Sequence, residues 1–140
     1  MSKPSKLEIL EVAECLDLLG KACIGRVAVT DRALPAILPV NFRMHDGTIV
    51  LRTSLGSTLS TSMRKSVVAF EVDDYDDETN IGWSVMVVGP ARLVNNGVEY
   101  DSLSSLDLPA WGPDKKDHFV LIGAEIVTGR RITPPEGTSA

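Results

Sequence analysis

Residues 36–53, AILPVNFRMHDGTIVLRT, contain the pattern that decides the fold. Two stretches rich in apolar and β-branched residues, Ala36–Met44 and Thr48–Thr53, flank His45-Asp46-Gly47. A glycine directly after an aspartate favours a tight turn, because glycine adopts positive φ without steric cost. The stretch therefore predicts a β-hairpin. Pro39 inside its first strand indicates an edge position or a bulge, since proline lacks the N–H group that a central strand requires.

Further strands are predicted on both sides of this hairpin. The runs with a strand pattern are Ala22–Thr30, Val67–Val72, Ile81–Val94 and Phe119–Ile126. Gly89-Pro90 is expected to bend the longest run, and Asp31-Arg32 is expected to form the turn before the hairpin. Short connections between six strands favour an antiparallel barrel or sandwich, because the strands of a parallel sheet need long helical crossovers.

Helices are predicted at only a few places. The first is an amphipathic helix whose apolar stripe comprises Leu7, Leu10, Ala13, Leu16 and Leu19. Ser5 and Glu8 suit a capping box at its start, and Gly20 suits its end. Shorter helices are predicted at Leu59–Arg64 and Val98–Leu106.

Length and composition predict a single domain. A chain of 140 residues with 44% hydrophobic residues can bury a packed core. The expected domain is residues 1–132, followed by a disordered tail at 133–140 that is rich in Pro, Gly and Ser. The formal net charge of −5 argues against nucleic acid as a partner, since proteins that bind it usually carry a basic surplus. The acidic run at 73–78 is interpreted as a solvated loop after a strand.

No targeting, membrane or metal-binding segment is expected. The first residues are polar, and no run approaches the ~20 apolar residues that span a bilayer. Cys15 and Cys23 are not arranged as C-x-x-C, so they are interpreted as buried free thiols in a reducing compartment. The sequence therefore predicts a cytoplasmic protein. His45 and His118 lack metal-ligand spacing with the cysteines, and no metal site is predicted.

The most informative stretch for ligand binding is 50–59, VLRTSLGSTL. Here a strand ends on Arg52-Thr53, a loop of small residues follows, and a helix is predicted to begin. Helix N-terminal N–H groups, hydroxyls and a guanidinium can together bind an anion. An ordinary capped turn has the same pattern, so the residues alone leave both interpretations open.

Three other stretches are ambiguous on residue chemistry alone. Asn41 could hydrogen-bond the polar edge of a flat heterocycle, or face solvent from a half-buried strand. The apolar run that begins at Trp83-Ser84 could face a partner subunit or be plain core. Arg130-Arg131 could bind a ligand or form a solvated pair. No nucleophile elbow, P-loop or dinucleotide fingerprint is present in the sequence, so any catalysis is expected to rely on a bound cofactor.

In their order along the chain, these segments resemble the pyridoxamine 5′-phosphate oxidase-like proteins, an FMN-binding split-barrel family, and especially its short bacterial flavoprotein group. The resemblance runs from about Glu14 to Ile132. Its markers are Glu14-Cys15-Leu16, Gly25-Arg26-Val27-Ala28-Val29, Pro39-Val40-Asn41-Phe42, Leu51-Arg52-Thr53, Gly82-Trp83-Ser84-Val85, Leu108-Pro109-Ala110-Trp111 and Thr128-Gly129-Arg130-Arg131-Ile132. Each marker is weak alone, and their shared order is what makes the resemblance specific.

The resemblance implies a fold, an assembly and a cofactor. The fold is mostly β, a six-stranded antiparallel split β-barrel (FMN-binding split barrel) with short flanking helices. Members of the family form homodimers with two FMN sites at the interface. The implied activity is that of an FMN-dependent oxidoreductase, which transfers hydride at the flavin N5 atom. The resemblance implies no substrate, no electron donor and no catalytic residue.

The resemblance also implies which residues hold the cofactor. The backbone of Pro39, Val40 and Asn41 would lie along the isoalloxazine ring. Arg52 and Thr53 would flank the flavin and its ribityl chain, and Gly56, Ser57 and Thr58 would cradle the phosphate. Trp83 and Ser84 would approach from the second subunit, and Arg130 or Arg131 would close the site.

One position departs from the family pattern. Thr58 stands where the phosphate loop of the family is expected to carry Lys or Arg. A hydroxyl can donate a hydrogen bond to phosphate but supplies no charge. The sequence therefore predicts weaker FMN binding unless Arg52 compensates. Two alternatives follow: a reductase that uses the deazaflavin F420, and a non-enzymatic protein that binds flavin or haem.

Overall fold

The computed structural model describes residues 5–53, 66–108 and 118–135, which form an antiparallel sheet flanked by short helices. The strands in this part of the chain are β1 (Lys6–Ile9), β2 (Ile24–Asp31), β3 (Leu34–His45), β4 (Thr48–Thr53), β5 (Val67–Asp76), β6 (Ile81–Val94), β7 (His118–Gly123) and β8 (Ile126–Thr133). The helices are α1 (Val12–Lys21) and α2 (Gly97–Leu103). The predicted helix at 59–64 and residues 136–140 of the predicted tail lie outside the described residues.

Six of the strands close into a barrel. The order β6-β5-β2-β3-β4-β7 returns to β6, while β8 and then β1 extend the sheet from the first half of β6. β6 can take part in both arrangements because it changes partners at Gly89-Pro90. Before this point it pairs with β5 and β8, and from Ala91 to Val94 it pairs with β7. The predicted six-stranded split barrel and the predicted bend are both confirmed.

The hairpins follow from turn chemistry. Asp46 and Gly47 have φ of 51° and 74°, the left-handed pair that suits a two-residue hairpin loop, so the predicted turn between β3 and β4 is confirmed. The preceding turn lies at Arg32-Ala33, one residue later than predicted. β3 pairs with β4 only from Phe42 onward. Pro39 therefore lies along an edge of β3 that has no partner strand in the described residues, as predicted.

The predicted N-terminal helix is wrong for its first residues. Lys6–Ile9 form β1, which pairs with β8 in a register that places Leu7 opposite Ile132, and the helix begins only at Val12. The edge of β8 offers unpaired backbone groups that a strand can satisfy. This long-range partner is absent from the local pattern, which is why the helical stripe was extended too far. Gly20, expected to end the helix, lies inside α1, which ends at Lys21.

Two other segments contain more strand than the sequence predicts. The run predicted as one strand at Phe119–Ile126 is divided by a turn, so that β7 ends at Gly123 and β8 begins at Ile126. The residues 128–132, predicted to follow the last strand, lie within β8. The acidic residues Asp73–Asp76 extend β5 rather than forming a loop, because their side chains are exposed and lose little hydration in a strand.

The core fills the barrel and continues under α1. Phe42 and Phe70 meet edge to face inside it, with ring centroids 4.8 Å apart. Cys15 of α1 is buried, and burial raises the pKa of its thiol, with the nearby negative charge of Glu14 adding to the effect. Cys23 is exposed, so the prediction that both thiols are buried is wrong for Cys23. Both thiols are free.

A second, smaller cluster covers the outside of the barrel. The side chains that face outward from β4 and β7 pack under α2, and this cluster comprises Val50, Val94, Leu103, Leu108, Phe119 and Leu121. Neither helix of the described residues is long and apolar enough to cross a membrane.

Candidate functional site

An apolar row crosses the outer face of the sheet formed by β3, β2, β5, β6 and β8. Successive cross-strand partners in this row are Ile37, Ala28, Ala69, Val88 and Ile126. Ile37 is 68% exposed and Ile126 is 56% exposed. A continuous apolar strip of this kind on a sheet surface is typical of a surface that another protein covers. We call it the apolar row.

A charged cluster lies beside the apolar row. Arg26 Nη1 donates to Glu71 Oε1 at 3.3 Å and to Asp73 Oδ2 at 3.1 Å, so one guanidinium holds two carboxyl groups together. Burial raises the pKa of Glu71 to about 7, helped by its hydrogen bond with Asp73 and by the charge of Asp73, and only partly opposed by Arg26. A carboxyl group that titrates near neutral pH can accept and release a proton at working pH. The sequence analysis did not identify Glu71 as a functional group, although Glu71 and Asp73 are two residues apart on one strand and therefore share a face.

The raised pKa of Glu71 has a consequence for stability. A carboxyl group with a higher pKa in the folded state stabilises the fold below its ordinary pKa of 4.5, and this contribution is lost as the pH rises through about 7. We therefore expect the Tm to fall across this window and Glu71→Gln to flatten the decline. The measurement is thermal unfolding at a series of pH values. Glu125→Gln, which removes an exposed carboxyl outside the cluster, is the control, and an equal flattening in both variants would contradict the assignment.

The structure separates the two arginines on β8 that the sequence analysis considered for the site. Ser84 is the cross-strand partner of Arg130, and both line an open cavity of about 320 Å³ together with Glu71 and Asp73. Arg131 lies on the opposite face, where its Nη1 donates to Glu14 Oε1 of α1 at 2.7 Å. Arg130 is therefore the arginine placed at the cavity.

Trp83 lies between two cavities. It is half-buried, packs against the core, and lines both the cavity at Arg130 and a second one of about 370 Å³. The second cavity is bounded by Leu18 of α1 and Ile24 of β2. The indole thus forms the wall that the two cavities share.

The predicted ring-binding segment of β3 has its side chains on alternate faces. Val40 points into the barrel and is buried, while Pro39 and Asn41 face outward. Asn41 pairs with Ile24 of β2, at the level where the β3–β4 ladder ends. The backbone of this segment therefore lies before the first residue pair of the β3–β4 ladder.

Arg52 and Thr53 also lie on opposite faces of their strand. Arg52 faces outward, where its Nη1 donates to the Leu108 carbonyl at 3.1 Å and its guanidinium lies 5.5 Å from the centre of the Phe119 ring. Thr53 faces the barrel interior and is 2% exposed. Gly56, Ser57 and Thr58, the predicted phosphate cradle, lie outside the described residues.

One chain does not bring the predicted site residues together. Asn41 and Arg52 are on β3 and β4, whereas Ser84 and Arg130 are on β6 and β8. Strands β2 and β5 lie between β3 and β6. Three strand spacings separate β3 from β6 by about 14 Å. Both groups face the outside of the barrel, on strands that are not adjacent.

A buried histidine lies at the start of β7. His118 is the cross-strand partner of Thr53 and is 9% exposed. Its Nδ1 atom is buried without a hydrogen-bond partner. Sequence reasoning considered this residue only as a metal ligand, and the described residues contain no group of three or more potential metal ligands. The sequence does not show that Thr53 is its cross-strand partner, because the two residues are far apart along the chain.

A larger cavity of about 640 Å³ lies away from all these residues. Thr48, Pro90, Leu121 and Gly123 line it, and among the described lining residues Arg92 is the one that carries a charge. The guanidinium of Arg92 binds both carboxylate oxygens of Glu99 at 2.5 and 2.8 Å, and this hydrogen bonding lowers the pKa of Glu99. The charge of Arg92 is therefore already paired, and none of the predicted site residues that the structure describes lines this cavity.

Comparison with known proteins places the chain among relatives of similar length. The family model described as pyridoxamine 5′-phosphate oxidase matches residues 11–131. An uncharacterized protein of Mycobacterium tuberculosis (strain ATCC 25618 / H37Rv) is 39% identical over 144 residues, which cover 98% of this chain and 94% of the relative.

Two solved structures are similar in both sequence and fold. A protein of Corynebacterium glutamicum, described as a candidate pyridoxamine 5′-phosphate oxidase, superposes with a TM-score of 0.80 at 34% identity, over 97% of this chain and 98% of that one. The FAD binding protein of Mycobacterium smegmatis superposes with a TM-score of 0.70 at 32% identity, over 90% of this chain and 98% of that one.

Proposed function

Because this chain belongs to the pyridoxamine 5′-phosphate oxidase family, we propose that it is a flavin-dependent oxidoreductase. The observation that carries the proposal is the division of the site into two half-sites on one outer face of the sheet, one at Asn41 and Arg52 and one at Ser84 and Arg130. A two-fold partner that covered this face would complete two equal sites. Similarity to the FAD binding protein of Mycobacterium smegmatis supports a flavin as the cofactor.

The assembly that completes these sites is a homodimer. The apolar row supplies the surface to be covered, and the charged cluster of Arg26, Glu71 and Asp73 lies beside it. An isologous interface places the same patch of both subunits in contact, so each half-site meets the complementary half-site of the partner. The proposal therefore joins the dimer and the cofactor in a single arrangement.

The chain offers groups suited to a flavin nucleotide. Pro39 and Val40 lie before the β3–β4 ladder, which begins at Phe42, so their backbone groups can hydrogen-bond the polar edge of a flat ring, and Arg130 supplies a cation at the cavity. Bound flavin would supply hydride transfer at its N5 atom. Glu71, with a pKa of about 7, is placed to exchange a proton with a substrate in the same cavity.

FMN is our first choice of cofactor, as the sequence resemblance implies. FAD is the second, because the Mycobacterium smegmatis relative at 32% identity is an FAD binding protein. The deazaflavin F420 remains the alternative for a reductase. These three ligands share a tricyclic ring, a ribityl chain and a phosphate, so one site chemistry serves all of them.

The first experiment is an absorbance spectrum of the purified protein, taken again after incubation with excess FMN, FAD or F420 and desalting. We expect retained FMN or FAD to give flavin bands at ~375 and ~450 nm, and retained F420 to give its own, different absorbance band. Chromatography of the ligand released by heating identifies FMN or FAD. Failure to retain any of the three ligands would contradict the proposed function. Stable binding without oxidation of a nicotinamide cofactor or reduction of an acceptor would favour a non-enzymatic binding protein.

The two adjacent arginines give a matched pair of variants. Arg130→Ala is expected to weaken flavin binding by roughly tenfold at unchanged Tm, because it removes a charged donor from the cavity. Arg131→Ala is expected to leave binding unchanged and to lower stability by about 1 kcal/mol, because it breaks a half-exposed ion pair with Glu14. Flavin titration and thermal unfolding measure the two effects. The opposite assignment of effects would contradict the placement of Arg130 at the site.

A further inference from the structure

Two polar side chains are buried in the described part of the chain, and they are neighbours. Thr53 and His118 are 2% and 9% exposed, and all other side chains in the same burial class are apolar. They are cross-strand partners at the end of the β4–β7 ladder. Directly opposite residues of an antiparallel pair have Cβ atoms ~5 Å apart. The barrel interior is therefore apolar except at one point, where β4 and β7 meet.

The His118 side of this pair is incomplete. Its Nδ1 atom is buried without a hydrogen-bond partner. Next along the ladder, Leu51 and Val120 are buried and apolar and offer it no side-chain partner. Buried polar atoms are almost always hydrogen-bonded, because an unpaired one loses its water without compensation. A polar atom that is left unpaired at the end of a barrel indicates a partner that arrives with a ligand.

We infer that His118 Nδ1 forms a hydrogen bond with the ribityl chain of the bound flavin nucleotide. The inference rests on the proposed function and adds a cofactor-contacting residue that the family resemblance did not include. The resemblance implies that Thr53, directly opposite His118, lies beside the ribityl chain. Because both side chains face the barrel interior, the ribityl chain would turn from the outer-face half-site at Arg52 over the end of the β4–β7 ladder to reach them. A ribityl hydroxyl both donates and accepts, so it can pair with Nδ1 in either tautomer of the imidazole.

A metal ion is a poorer partner for this nitrogen. A site for such an ion needs several ligands, and the described residues contain no group of three or more His, Cys, Asp or Glu side chains that could hold one. His118 is accompanied by a threonine hydroxyl instead. The chemistry of the pair thus matches a neutral polyhydroxyl chain.

The inference predicts different effects of one substitution on flavin affinity and on the thermal stability of the flavin-free protein. In the flavin-free protein His118→Leu is expected to leave the Tm equal to or above that of the wild type, because it replaces an unpaired buried polar group with an apolar one. The same variant is expected to raise the Kd for the retained flavin by about tenfold, because it removes one hydrogen bond. His118→Asn, which keeps a polar atom near the Nδ1 position, is expected to recover most of the affinity. His45→Leu, on the half-exposed hairpin end of β3, is the control and is expected to change neither quantity.

Titration with FMN and FAD, followed by thermal unfolding of the flavin-free variants, decides among the outcomes. Unchanged affinity in His118→Leu, with a wild type that binds flavin, would overturn the inference and leave the proposed function standing. A variant that fails to fold, or that loses stability without rescue by His118→Asn, would show that the imidazole supports the fold, which also overturns the inference. A wild type that binds no flavin would overturn both.

Discussion

Replacing Gly89 by alanine is expected to remove a large part of the folding free energy of the protein. A Cβ atom at this position would lie 1.7 Å from the Gly123 carbonyl oxygen and 2.8 Å from its carbonyl carbon. Both are backbone atoms, so no change of side-chain rotamer can relieve the overlap. The two backbones must separate at the point where β6 changes partners. We expect a loss on the order of 4 kcal/mol, more than ordinary side-chain overpacking, because here the backbone itself must move.

Thermal unfolding tests this expectation. For a chain of this size the loss corresponds to a fall in Tm of roughly 15 °C. Gly20→Ala makes the same chemical change in α1, where an added Cβ meets nothing within 4 Å. This control is expected to keep or raise the Tm, because alanine favours a helix by about 1 kcal/mol over glycine. A Gly89→Ala variant with a Tm close to that of the wild type would contradict the close approach of β6 and β7.

The parts of the fold that could be predicted are those set by local chemistry. The turn at Asp46-Gly47 fixes the β3–β4 hairpin, and the apolar run at Ile81–Val94 matches β6 from end to end. β1 could not be predicted in this way. Its four residues are exposed, and what holds them extended is the distant edge of β8. The strand–strand boundary at 124–125 was missed because Phe119–Ile126 reads as one apolar run.

The candidate site shows the same limit. The resemblance implies that Arg130 or Arg131 closes the site, and alternation along the strand sends their side chains to opposite faces, one to the cavity and one to Glu14. Arg26 and Glu71 are 45 residues apart in sequence, and only the β2–β5 pairing brings them together. His118 and Thr53 are likewise distant in sequence and are brought together only by the β4–β7 pairing. Cross-strand neighbours are therefore the part of the candidate site that could not be predicted from a single sequence.

Val88→Asp is expected to convert a dimer to monomers and to abolish flavin retention. Val88 lies in the apolar row between Ala69 and Ile126. In an isologous interface the substitution buries two carboxylates, one from each subunit, among apolar side chains. An unpaired buried charge costs about 3–5 kcal/mol, so the dimer dissociation constant should rise by at least roughly 100-fold. Both half-sites then lose their partner, which is why flavin binding should fall together with dimerisation.

Light scattering at micromolar concentration, combined with the desalting assay for flavin, measures the two effects in one set of samples. Val98→Asp places the same charge on α2, where the side chain is 87% exposed and far from the apolar row, and it should leave mass and flavin retention unchanged. A monomeric wild type would contradict the homodimer. A Val88→Asp protein that stays dimeric and keeps its flavin would place the interface on another surface. A monomeric variant that still binds flavin would show that one chain holds the cofactor alone, which would separate the two proposals that the half-sites now join.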